Sequence, residues 1–130
     1  MRPATPPMPI SYSIDTVRRM IVSRWSGVVT TDDLTIHWRK LFTDDEALAV
    51  RRALSDLRGA ELQFSGDDVQ RLTTGLVLPV LEKGPWKTAM LVDQPANFGV
   101  GRQFQNYAQM FHNSSIFTEE SAALEWLLAD

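Results

Sequence analysis

Alternation opens the folded part of the chain. Ile10, Tyr12 and Ile14 are separated by Ser11 and Ser13, the two-residue period of a strand with one buried face. Asp15 and Thr16 supply turn chemistry, and a second apolar run passes through Met20, Ile21, Val22 and Trp25, so a β-hairpin is predicted. The period then changes. Leu34, Trp38, Leu41 and Phe42 recur at helical spacing behind the capping groups and acids of Thr30, Thr31, Asp32 and Asp33. Thr43, Asp44, Asp45 and Glu46 have the form of a capping box, which predicts a short helical turn through Ala47, Leu48 and Ala49. An apolar run within 51–59 stops abruptly at Asp56-Leu57-Arg58-Gly59, and this segment reads as the central strand.

Helical and strand-like segments alternate from there. Ser65-Gly66-Asp67-Asp68 again has capping-box spacing, and Val69, Leu72, Leu76 and Val80 mark a helix face that Pro79 should kink or end. The run 87–93 reads as a second buried strand closing on Asp93. A helix after Gln94-Pro95-Ala96-Asn97 would turn Val100, Phe104, Tyr107, Ala108 and Phe111 inward, with Gly101 allowing close approach to the sheet and His112-Asn113 ending it. Ser115-Ile116-Phe117 suggests a brief strand, and a last helix starts at Thr118-Glu119-Glu120 with Ala123, Leu124, Leu127 and Leu128 inside. The expected fold is α/β: one domain over 10–130 with a mixed, mostly parallel sheet of four to five strands. An N-terminal hairpin is followed by β-α-β-α-β-α, with about four helices packed on the sheet. Residues 1–9, rich in proline, read as a stiff, mobile tail.

Composition narrows the function classes. A hydrophobic share of 44% and a charged share of 22% over 130 residues suit one globular domain with its own core. No apolar run approaches membrane-spanning length, and the start lacks the apolar stretch of a signal peptide. The absence of cysteine removes thiolate and disulfide chemistry and fits a cytoplasmic location. A net charge of −3, with Arg18-Arg19, Arg39-Lys40 and Arg51-Arg52 scattered and read as solvated, argues against a nucleic-acid partner.

Several stretches carry a family resemblance. Gly27-Val28-Val29-Thr30-Thr31-Asp32-Asp33, the exit Asp56-Leu57-Arg58 and Phe98-Gly99-Val100-Gly101-Arg102-Gln103-Phe104 are joined by the C-terminal run Ile116-Phe117-Thr118-Glu119-Glu120-Ser121-Ala122-Ala123-Leu124-Glu125-Trp126-Leu127. In order and spacing they resemble the bacterial SpoIIAA-like proteins of the STAS superfamily, from Ile10 onward. The resemblance implies a sheet of four to five strands covered by helices, and says little about activity. In the anti-sigma-factor antagonists of that superfamily, a serine at the start of the helix after the central strand is phosphorylated. Ser65 is the nearest match. Here Phe64-Ser65-Gly66-Asp67-Asp68 replaces the Asp-Ser-Ser/Thr-Gly pattern, and two acids beyond Ser65 would repel a phosphate, so an N-cap role is expected instead.

Ligands of open α/β sheets collect beyond the carboxyl ends of parallel strands. That edge is expected to gather Asp56, Arg58, Ser65, Asp93 and Asn97, with Arg102 nearby, as candidate ligand- or partner-binding residues. A helix start near Asn97 with the Arg102 fork would suit a small anion or carboxylate. The bland readings are that Asp56 and Asp93 cap loops or pair with arginines, that the acid pairs serve helix starts, and that the tryptophans are core. Gly99-Val100-Gly101 lacks the third glycine of a dinucleotide site, no Gly-x-Ser-x-Gly occurs, and the two histidines, His37 and His112, lack metal-ligand spacing. His37 is expected to border a helix face, and His112 to neutralise a helix C-terminus. No cofactor, metal site or catalytic residue is expected. The expected role is a non-catalytic binding or regulatory module for a protein partner or small ligand, able to pair with a second copy through an edge. A carrier or sensor of a small hydrophobic or acidic molecule is the alternative, although the core leaves little volume for an acyl chain. An enzyme using Asp56 or Asp93 as acid or base ranks last.

Overall fold

The predicted hairpin forms from β1 (Ile10–Asp15) and β2 (Met20–Trp25), in antiparallel register with Tyr12 opposite Ser23. The computed structural model describes residues 8–108 and 112–129. The expected inward position of Phe111, the side chains of Tyr107 and Ala108, and most of the N-terminal tail lie outside them. Asp15 closes the hairpin loop by accepting the backbone N–H groups of Val17 and Arg18. After Trp25 the chain turns at Gly27, whose φ of 66° favours glycine, into β3 (Gly27–Thr30). Helix α1 (Thr31–Leu41) then starts on a reciprocal capping box between Thr30 and Asp33.

Segment 43–50, expected as a short helical turn, is α2 (Asp45–Val50). Its cap is Asp44, whose carboxylate accepts from Glu46 and Ala47. The central strand β4 (Arg52–Asp56) pairs in parallel with β2 on one side and with β6 (Trp86–Leu91) on the other. On the far side of β6 lies β7 (His112–Phe117), also parallel, giving the order β1-β2-β4-β6-β7 with only β1 reversed. The mostly parallel sheet is borne out. A second, two-stranded sheet pairs β3 with β5 (Ala60–Gln63), and sequence periodicity does not reveal it.

The strand pleat separates two cores. On one face Ile21, Ala53 and Trp86 pack under α1, α2, α4 (Leu78–Leu81) and α5 (Pro95–Ala108), and Trp25 and Leu57 pack with Leu72 of α3 (Gly66–Leu72). On the other, Met20, Leu54, Ala89 and Leu91 pack under α6 (Glu120–Leu128) through Ala123 and Leu127. Between α3 and α4 the chain widens into a π turn, Thr73–Val77, just before Pro79. Proline has no N–H to give to the preceding turn, and the predicted kink takes this form. Gly101 does bring α5 close to the sheet: a Cβ there would stand 3.1 Å from the Ile116 side chain.

Two expectations are corrected. His112 begins β7 and does not end a helix; its side chain, and with it the expected role at a helix C-terminus, lies outside the described residues. Arg51 is not solvated surface charge. It sits at φ 54° capping α2, and its guanidinium donates to the carbonyls of Gly84 (2.6 Å), Pro85 (2.7 Å) and Val80 (3.0 Å) over the Trp86 ring. No helix among the described residues is long and apolar enough to cross a membrane.

Candidate functional site

Parallel register places the ends of β4 and β6 at one rim, because Asp56 stands opposite Leu91 and Asp93 follows two residues later. The rim is largely self-satisfied. Asp56, 8% exposed, is gripped by the Arg58 fork, with Nε to Oδ1 and Nη2 to Oδ2 both at 3.0 Å, and it also accepts the Arg58 backbone N–H. Arg24, its cross-strand neighbour on β2, adds an ion pair at 3.6 Å. Burial pushes the Asp56 carboxyl up, but the Arg58 hydrogen bonds and the charges of Arg58 and Arg24 outweigh it and hold the group below the usual carboxylate range. Glu120 approaches Arg58 at 3.8 Å, while Asp93 is exposed.

The other candidates separate. Asn97 is 2% exposed, and its Nδ2 donates to the carbonyls of Ala60 (2.9 Å) and Leu57 (3.4 Å), stapling the first turn of α5 to the loop after β4. Ser65 is the N-cap of α3 in a capping box with Asp68, as expected. Arg102 lies exposed on α5 with its guanidinium 5.7 Å from the Phe98 ring. Of the six, only Asp56 and Arg58 bond to one another. Among the described residues no cluster of three His, Asp or Glu side chains could hold a metal ion.

A different feature lies beneath the helices. Ser23, Ala53, Ser55 and Thr88 are small residues on adjacent strands of the α1–α5 face, and they leave a chamber of about 80 Å³ above them. This is several times the space one water needs. Leu34, Trp38 and Leu41 of α1, Val69 of α3 and Val100 and Phe104 of α5 form its roof, and the chamber is partly open to solvent. Trp38 and Phe104 pack against each other in the roof with ring centroids 5.9 Å apart. No charged side chain lines it.

One end is polar. His37, expected at the border of a helix face, points inward at 6% exposure with Tyr12 and Trp25 edge-on to it at 5.9 and 5.8 Å. His37 and the half-buried Ser55 both line the chamber. Burial, aided by the nearby Lys40 charge, pulls the His37 pKa down to about 4, so the ring is neutral at pH 7. Ser23 accepts from the Trp25 indole N–H at 3.0 Å and sits in register beside Ser55. Reasoning from residue type missed this corner. A signal existed in the spacing, since Leu34, His37, Trp38 and Leu41 share one helical face.

No family model matches the chain, and no curated protein does. A solved structure does: the crystal structure of an uncharacterized protein from the DUF3478 family with a SpoIIAA-like fold, from Shewanella loihica PV-4. It is 16% identical, with a TM-score of 0.60 over 97% of this chain and 99% of that chain. This chain has the SpoIIAA-like fold. The architecture implied by the sequence resemblance is therefore present. On this SpoIIAA-like sheet the rim carries an internally paired acid, and the space beneath the helices carries a few polar groups in an apolar wall.

Proposed function

We propose that this SpoIIAA-like domain is a non-catalytic binding module that holds a small, mainly apolar ligand between its sheet and helices α1, α3 and α5. The observation that carries this is the chamber of about 80 Å³ beneath the helices, whose apolar wall is interrupted by the buried His37 and the half-buried Ser55. Space of that size with a few polar groups in its wall is where a small ligand or ordered water settles. The rim supports the same reading from the other side. Asp56 is committed to Arg58 and Arg24, Asn97 to backbone carbonyls and Ser65 to its cap, so these groups offer few open bonds to a guest.

Titration with toluene, followed by ¹H–¹⁵N correlation spectra, tests this. Saturable shifts at the Ser23, Ser55 and Thr88 amides and the Trp38 indole are expected. No saturable shift, or shifts confined to Asp56, Arg58 and Asp93, would overturn the proposal.

A further inference from the structure

We propose that two copies of this chain join through β1, the open edge of the five-stranded sheet, about a twofold axis at Tyr12 that makes the two sheets one. Ser26 donates its N–H to the Pro9 carbonyl at 2.9 Å, which fixes the phase of the β1–β2 ladder. Hydrogen-bonded pairs alternate along an antiparallel ladder, so Ser11 and Ser13 turn their backbone groups toward β2, and Ile10, Tyr12 and Ile14 turn theirs outward. Among the described residues nothing bonds those outward N–H and C=O groups. The far edge differs, because there Gln105 Nε2 of α5 donates to the Ser114 carbonyl of β7 at 2.9 Å.

Exposed sheet edges are usually blunted by lysine, proline or a bulge. The segment 10–14 contains neither residue, and its register with β2 runs unbroken. About an axis at Tyr12 the two tyrosines stand opposite one another and Ile10 stands opposite Ile14 of the second copy, so the outward groups of both strands pair in register. Ser11 then faces Ser13 of the second copy. Both are exposed, small and uncharged, so no like charges meet. Helix α1 completes the match. The His37 ring lies 5.9 Å from the Tyr12 ring, which puts the axis near the middle of α1. Asp33 and Lys40, on either side of it in the helix, border a cleft of about 120 Å³ beside β1, together with the exposed Met8 and Ile36. Reversal about the axis carries each Asp33 toward Lys40 of the other copy and the two Ile36 side chains toward one another. The surface is complementary to itself in charge and in apolar contact.

Sedimentation velocity on the whole chain, from micromolar to submillimolar concentration, tests this in the native protein and in two double variants, Ser11→Glu with Ser13→Glu and Ser11→Glu with Ser13→Lys. Both change only exposed side chains and leave the β1–β2 backbone ladder in place. The native chain is expected to form a dimer as concentration rises, with hydrogen exchange at the Ile10, Tyr12 and Ile14 amides slowing in step. Position 11 faces position 13 of the second copy, so the double-glutamate variant should weaken the dimer about tenfold, and the glutamate-with-lysine variant should hold it within about threefold of native. A monomer at every concentration overturns the proposal; if its three amides already exchange slowly, residues 1–7 cover the edge instead. A dimer equally strong in both variants, or one whose protection falls on β7 or α6, overturns it too.

Discussion

Ser23 and Ser55 stand side by side on β2 and β4, in register and on the same face of the sheet. Most positions flanking them on that face are larger, Ile21, Trp25 and Leu57 among them, so the pair sets the depth of the chamber. Filling it should separate stability from binding. Ser55→Val adds a β-branched apolar side chain in place of a half-buried hydroxyl. An increase in unfolding free energy of about 1 kcal/mol is expected with loss of the toluene shifts. A destabilised variant that still binds toluene would contradict the geometry.

The buried imidazole makes stability depend on pH within a defined window. His37 titrates near 4 when folded and near 6.5 when unfolded, so the unfolded chain takes up the proton first. The stabilisation is complete above about pH 6.5 and is lost as pH falls toward 4, a change of about 3 kcal/mol. Tyr12, Asp33 and Lys40 border the outer side of the ring. The Tyr12 hydroxyl is pushed up to about 12 by burial and its bond to Asp44, so it does not titrate in this range. Asp15, Asp44, Asp56 and Asp68 have lowered pKa values, and their share is lost only below the ordinary carboxylate value of 3.8. Urea midpoints at pH 7.5 and 4.5 check the effect, and His37→Phe should flatten the difference.

Asn97 holds α5 to the sheet by two hydrogen bonds from one buried amide. Asn97→Leu keeps the volume but leaves the Leu57 and Ala60 carbonyls without that donor. A loss of about 2–3 kcal/mol is expected. Amide exchange should accelerate first at the start of α5, and uniform acceleration across the sheet would argue for a global effect instead.

On the opposite face Lys87 reaches from β6 to the end of α6. Its ammonium donates to the carbonyls of Trp126 (2.6 Å) and Ala129 (2.8 Å) and lies 4.5 Å from the Trp126 ring. Lys87→Met retains the aliphatic stem and removes the charge. It should cost about 1–2 kcal/mol, with Trp126 fluorescence reporting early loosening of α6.

Thr73 gives a prediction of the opposite sign. Its Oγ1, in the π turn, is the one enclosed side-chain polar atom without a partner among the described residues. Thr73→Val should raise stability by about 1 kcal/mol, read as a higher urea midpoint with an unchanged slope.

How far the chain could be read from its residues follows from the range of each interaction. Capping boxes at Thr30 with Asp33 and at Ser65 with Asp68 are local, so both helix starts were legible. The hairpin and the buried runs of β4 and β6 declare themselves by period and length. The pairing of β3 with β5 joins two four-residue segments far apart in the chain, too short to show a period. Strand β7 begins His-Asn-Ser-Ser, a polar stretch that reads as loop until a neighbouring strand fixes it. At the rim, Asp56 and Arg58 were visible as neighbours. Arg24 and Glu120 were not, because only strand register and α6 packing bring them there. His37 was missed because residue type was given more weight than its place on the α1 stripe.

The chamber's floor and roof are built by different kinds of bond. Four parallel strands lock the serines and Thr88 in place through backbone hydrogen bonds, whereas the covering helices rest on side-chain packing and a few polar staples such as Asn97. Any widening of the chamber therefore spends dispersion contacts above and leaves the ladder below intact. A guest would be admitted by the compliant side while the surface that recognises it keeps its shape.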